Sequence, residues 1–166
     1  MSAPNVVAEW IGGDLVYKDK TKTEFARFDG TNGVLQAKDL TLCRRVRTAI
    51  AQVNAGATLL PALGAGYAYR LIDAFAIAIG GAAAAVTTVD VIGTLSTARK
   101  LVAFGQAALT QSALVRAGSS GGVLLADGAS FTANDANTAI TIGVTGSPLT
   151  TATHIDVVLT YAIDRV

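Results

Sequence analysis

The chain has 166 residues, with 13 Lys and Arg against 12 Asp and Glu, one His, and a formal net charge of +1. That length fits one core-forming domain with room for a short appendage, and the near-neutral balance supplies no global field to draw nucleic acid or an anionic membrane. One cysteine, Cys43, and one histidine, His154, assemble neither an intramolecular disulfide nor a zinc cluster, so the fold must rest on packing and no metal or other cofactor is expected.

The opening stretch, MSAPNVVAEWIGGDLVYKDK, lacks a basic run leading into an apolar one, so a secretory signal is not indicated and synthesis in a cytoplasm is expected. Within it GGDLVYKD reads as a strand after a glycine turn. EFARFDGTNGVLQ follows as a hairpin whose loop comes from Asp29-Gly30 and Asn32-Gly33. Residues 1–47 hold eight of the 13 basic and six of the 12 acidic residues, and the composition changes between Arg47 and Asn54. The expectation is a charged N-terminal arm with a β-hairpin over 1–47 and a body over 48–166. A lone hairpin is marginally stable at best, so the arm should dock on its own body or on a neighbour, with Trp10, Tyr17, Phe25 and Phe28 as apolar anchors. The junction CRRVR places Arg45 and Arg47 on one side of a strand and Arg44 on the other. It reads either as a clamp for a carboxylate or phosphate or as a solvated, ion-pairing edge.

The stretch AFAIAIGGAAAAV, residues 74–86, is nearly devoid of polarity. Its charge-free window runs from Ala74 to Val89, 16 residues, short of the roughly 20 that a spanning helix needs. Alternation from Tyr67 onward predicts a strand instead, with Tyr67, Tyr69, Leu71, Asp73, Phe75, Ile77 and Ile79 on a large face and Ala74, Ala76 and Ala78 on a small one. Both faces should be covered, one by a core and the other by a closely approaching element or a neighbouring chain.

Further β-prone runs follow: VTTVDVIG from Val86, ARKLVAFG from Ala98, AALTQSALVRA from Ala107, GVLLADG from Gly122 and AITIGVTG from Ala139. Gly80-Gly81, Gly118 to Gly122, Asn134 to Asn137 and Gly146 to Pro148 punctuate them as turns. Short helices compete at AALTQSALVRAG and at SFTANDANTAI. The final segment, THIDVVLTYAID, alternates most cleanly, with Ile155, Val157, Leu159, Tyr161 and Ile163 on one side. The spacing predicts an all-β chain, an antiparallel β-sandwich or jelly-roll-like body behind the hairpin arm.

Local catalytic signatures are absent: GxxxxGK[ST], HExxH, GxSxG and paired CxxC units do not occur. His154 beside Asp156 reads as a polar strand residue rather than a base, and Cys43 as a small residue entering a strand. The loop DGASFTANDAN offers Asp127, Asn134, Asp135 and Asn137 as oxygen donors, but not at EF-hand spacing, so turn chemistry is the simpler reading. No enzyme activity is expected.

The phrases QVNAGATLLPALGAGYAYRLIDAFAIAIGG and VLLADGASFTANDANTAITIGVTGSPLTTATHIDVVLTYAI resemble the head decoration, or cement, proteins of tailed bacteriophages. WIGGDLVYKDK and FDGTNGVL are similar to the glycine-punctuated N-terminal stubs of phage structural proteins. The resemblance implies a β-rich, often trimeric body on the outer face of a capsid. It thus implies a virion location, the major capsid protein as partner, and neither nucleic acid nor membrane as a target; it transfers no active-site residues. With 51% hydrophobic and 15% charged residues, surplus apolar surface is expected to end at interfaces. Within that reading Trp10, Tyr17, Phe25, Phe28, Arg44, Arg45 and Arg47 are candidate capsid contacts, and Ala74, Ala76 and Ala78 candidate subunit contacts. The alternative is a receptor- or glycan-binding module of a tail fibre or baseplate.

Overall fold

In the computed structural model the described residues are 6–19, 21–22, 24–31, 34–37, 41–124 and 133–166. Their regular structure is almost entirely antiparallel strand, with one five-residue helix. Two units divide at Leu40 and Thr41.

The first unit is a four-stranded sheet in sequential order, β1 (Val6–Ile11), β2 (Asp14–Asp19), β3 (Glu24–Asp29) and β4 (Val34–Ala37). The expected hairpin is β3–β4, and two further strands extend it to a meander. The boundary also falls earlier than the charge pattern places it, because residues 42–47 belong to the body. They lie on β5 (Leu42–Ala49), which pairs with the C-terminal strand at eight consecutive positions. Charge marked an exposed strand face there, not the end of a unit.

The body is sandwich-like. One sheet has the order β10-β7-β13-β5, with β7 (Tyr67–Ile79), β10 (Leu114–Arg116) and β13 (His154–Arg165). The other has the order β11-β9-β8-β12-β6, with β6 (Thr58–Leu60), β8 (Ala83–Leu95), β9 (Thr97–Gly105), β11 (Gly122–Leu124) and β12 (Ile140–Thr151). A single cluster joins them: Ala74, Ala76, Ala78, Ile155, Val157 and Leu159 from the first, with Val89, Val91, Val102, Phe104, Ile140 and Ile142 from the second. A five-residue helix, α1 (Ile50–Asn54), buries Val53 and is tied to β12 by Asn54, whose amide donates to the Leu149 carbonyl and accepts from its N–H.

The β7–β13 pair contains the feature that alternation alone missed. Thr160 opposes Asp73 and Tyr161 opposes Leu71, leaving Ile72 as an extra residue in β7. One inserted residue reverses which parity points inward. Tyr69 and Leu71 therefore face the core before the bulge, and Ala74, Ala76 and Ala78 face it afterwards, each alanine with no exposed surface. The predicted continuous large face does not exist, since Phe75, Ile77 and Ile79 turn outward and remain half-buried. The alanines are thus not a subunit contact. They oppose Leu159, Val157 and Ile155 inside the chain's own core.

One other expectation changes, and in one run strand wins over the competing helix. Gly146 to Pro148 do not end a strand: β12 runs through them as an irregularity between Gly146, opposite Val86, and Thr150, opposite Ala84. A proline is tolerated where the ladder is interrupted. AALTQSALVRAG forms no helix, because its backbone is bonded to neighbours instead: the Leu109 carbonyl accepts from Ala83, the Ser112 N–H donates to Ala78, and the Ala117 N–H donates to Ala74. Tertiary bonds override helix propensity here. At the β7–β8 turn Gly80 has φ +74°, and a Cβ there would collide with the Thr153 side chain, so only glycine fits.

The bulge makes a discriminating prediction. Ala76→Leu should cost roughly 1–3 kcal/mol by overpacking the core, whereas Ile77→Leu on the outward side should stay within about 0.5 kcal/mol. Urea unfolding followed by far-UV circular dichroism measures both, and the reverse order would place the alanines outside.

Candidate interaction surface

In the N-terminal sheet the register sorts the side chains by chemistry. Trp10 opposes Leu15, which opposes Phe28, forming one row across three strands. Ala8 opposes Tyr17, which opposes Ala26, forming a second row. Directly opposed residues share a face, so Ala8, Trp10, Leu15, Tyr17, Ala26 and Phe28 make a charge-free surface. Trp10 is 70% exposed and Phe28 40%. Three of the four predicted anchors, Trp10, Tyr17 and Phe28, are brought together. Phe25 is the extra residue of a bulge in β3, and its side chain lies outside the described residues.

Among the described side chains the charges lie on the opposite face. Lys18 pairs with Glu9, and Arg27 donates to Asp14 at 2.7 Å and to both oxygens of Glu24 at 2.8 and 2.7 Å. Val16, directly between Glu9 and Arg27 in the register, is fully buried. Val7 and Ile11 are exposed on that side, at the two ends of β1. One face is thus held by ion pairs and the other left apolar.

On the body, Arg45 and Arg47 project from the outward side of β5, and Asp156 of β13 lies between them with its side chain 1% exposed. Arg47 donates through Nε to Oδ1 at 2.7 Å and through Nη2 to Oδ2 at 3.0 Å. Arg45 donates through Nε to Oδ2 at 3.1 Å and through Nη2 to the same oxygen. Arg44 stands on the other side of the strand, opposite Leu159, and is exposed. Of the two readings of CRRVR, the geometry is that of an ion-pairing edge. The Arg47 hydrogen bonds, reinforced by those of Arg45 and opposed by burial, hold the Asp156 carboxyl down at about 2.

The remaining candidates are dispersed. His154 begins β13 with Nδ1 3.1 Å from Thr153 Oγ1, and Cys43 is an exposed free thiol on β5. Asp127 lies outside the described residues, and its three loop companions serve turns and ties. Asn134 accepts from the Thr94 N–H and donates to the Tyr69 carbonyl, Asp135 accepts from Ser96, and Asn137 accepts from Gly64. These bonds pin the loop to β7 and β8 and to the turns at Gly64 and Ser96. Among the described residues no group of three or more His, Cys, Asp or Glu side chains could hold a metal ion, and no helix is long and apolar enough to cross a membrane.

Two features lie beyond what the sequence pattern announces. Asp90, fully buried on β8, meets Lys100 at 3.1 Å and accepts from Thr145 Oγ1 at 2.7 Å, while its Oδ1 and the neighbouring Thr88 Oγ1 have no hydrogen-bond partner. A lone aspartate inside VTTVDVIG was the available signal. Beside the β7 bulge, Ile72, Asp73, Arg116, Ser119 and Thr160 line an open groove of about 710 Å³, crossed by the Asp73–Arg116 ion pair at 2.7 Å.

No family model, curated protein or solved structure matches the chain.

The Asp156 pairing carries a pH signature. Because its carboxyl titrates near 2 in the fold against 3.8 ordinarily, its contribution is complete above the ordinary value and disappears as pH falls from about 4 through 2. The lost stability is on the order of 2 kcal/mol. Asp156→Asn should unfold more readily at neutral pH and show a shallower acid decline in thermal melts from pH 7 to 2; identical declines would separate Asp156 from acid stability.

Proposed function

We propose that this chain is a virion structural protein that binds the outer surface of an assembled phage capsid and stabilises it, as a decoration or cement protein does. The observation that carries the reading is the charge-free row Trp10, Leu15 and Phe28 on the N-terminal sheet, with Trp10 70% exposed. A large aromatic exposed on a sheet face is the kind of anchor that partner surfaces bury. The sequence resemblance supplies the identity of the partner, the major capsid protein. In this reading the activity is binding, without catalysis or cofactor.

The physical role follows from linkage. A protein that binds only the assembled, expanded shell stabilises that state by mass action, in proportion to the logarithm of its concentration over its dissociation constant. Covering Trp10 and Phe28 contributes roughly 2–3 kcal/mol each before ordering costs are subtracted. The body, whose core is complete within one chain, acts as the rigid mass carrying the anchor. Self-association into a trimer belongs to the same proposal, but with a contact surface other than Ala74, Ala76 and Ala78.

The exposed indole also fits the second reading, a receptor- or glycan-binding module of a tail fibre or baseplate, since sugars stack on aromatic rings. That reading needs polar groups on the same face to bond hydroxyls. The face around Trp10 offers the Tyr17 hydroxyl beside alanine, leucine and phenylalanine, which favours a protein surface.

Co-sedimentation with expanded empty heads of the phage that carries the gene tests the proposal. The wild-type chain should pellet with heads, and the full-length Trp10→Ser, Phe28→Ser variant should bind about tenfold or more weaker. Tryptophan emission, which reports Trp10 alone because the chain has one Trp, should shift to the blue on binding. Equal pelleting of variant and wild type, or no pelleting of either, would remove this reading. Light scattering on the free protein should give the mass of three chains, and a monomer mass would remove the trimer.

A further inference from the structure

The free edges of the two body sheets are unequal. β6, β10 and β11 have three residues each, whereas β5 has eight, and no described strand lies on its outer edge. A long edge leaves a row of backbone N–H and C=O groups without ladder partners, a template for another strand. This one also bears a charge pattern. Arg45 and Arg47 alternate on the outward side, with side chains 61% and 51% exposed, and Arg44 stands on the other. Asp156 offsets one of these three positive charges and engages Nε and Nη2 of Arg45 and Arg47, leaving their Nη1 groups without a bond to it. The buried carboxylate thus orients both guanidiniums while the edge keeps a local excess of positive charge.

We propose that the β5 edge accepts an extended acidic segment of a partner protein as an added strand. Its carboxylates alternate so that they lie beside Arg45 and Arg47, and its intervening apolar residues come beside Arg44 and the half-buried Val46. Edge arginines disfavour pairing with neutral or basic strands and select an acidic one, so the charges that protect the edge also set its specificity. The occupant is a different protein rather than a second copy. Two copies joined edge to edge through β5 would set the arginines of one chain beside those of the other, and like charges directly opposed repel. This inference concerns the body alone and does not depend on what the N-terminal sheet binds.

The test leaves the protein unaltered and varies the strand. The full chain, labelled with ¹⁵N, is titrated with acetyl-Thr-Glu-Val-Glu-Val-Glu-Thr-amide, with the same peptide carrying Gln for each Glu, and with the Glu peptide N-methylated at alternate residues. The first peptide should shift the Leu42–Ala49 amides saturably and slow their deuterium exchange. The Gln peptide should bind at least about tenfold more weakly, a difference of about 1.4 kcal/mol. The N-methylated peptide, unable to complete the ladder, should give no exchange protection. Equal binding of Glu and Gln peptides overturns the charge selection, protection by the N-methylated peptide overturns strand addition, and absence of any binding overturns both.

Discussion

One extra residue in β7 governs the body. With Ile72 left out of the pairing between β7 and β13, the strand's inward side passes from tyrosine and leucine to alanine. The alanine row then lies beside Ile155, Val157 and Leu159 on one inner face, and the large residues of the second sheet, Phe104 and Ile142 among them, fill the space the small side chains leave. Interiors pack to near-crystalline density, so small residues on one sheet demand larger ones on the facing sheet. The same bulge sends Phe75 and Ile77 outward and exposes Ile72 beside the groove.

That arrangement decides where apolar surface remains. An alanine-rich, 51% hydrophobic chain looked like one with a surplus to hide between subunits. Most of it is consumed inside the sandwich. Among the described residues seven large apolar side chains are exposed: Val7, Trp10, Ile11 and Phe28 lie in the 40-residue first unit, and Ile72, Leu114 and Val166 are spread over the body. The density of such residues, with the charge-free row through Trp10, is why the N-terminal sheet, not the alanine strand, is assigned the partner. The ion pairs on its other face keep that face compatible with water while leaving the aromatic side to be covered.

Legibility followed the range of the interactions. The alternation of β13 was readable because nothing interrupts it, and the separation of Arg44 from Arg45 and Arg47 followed from strand parity alone. The bulge was invisible because Ile72 and Asp73 fit an unbroken alternation equally well; only the partner strand reveals the extra residue. The β12 irregularity was read as a turn, since nothing near Gly146 announces that Asn54 on a distant helix bonds both backbone groups of Leu149. Likewise Asp156 lies 109 positions from Arg47, so the carboxylate that makes CRRVR an ion-pairing edge has no signal near the arginines in the sequence. Trp10, Tyr17 and Phe28 could be named as anchors, but their common face required the register of three strands.

Capsid binding as proposed rests on one face of the first sheet, the one that carries Trp10. Spin labels placed by Ala8→Cys and by Val7→Cys, each in a Cys43→Ser background, sit on opposite faces of β1 and leave Trp10 in place. On addition of expanded heads the label at 8 should become immobilised while the label at 7 keeps its mobility. Immobilisation at 7 with free motion at 8, in protein that still sediments with the heads, would contradict the proposal.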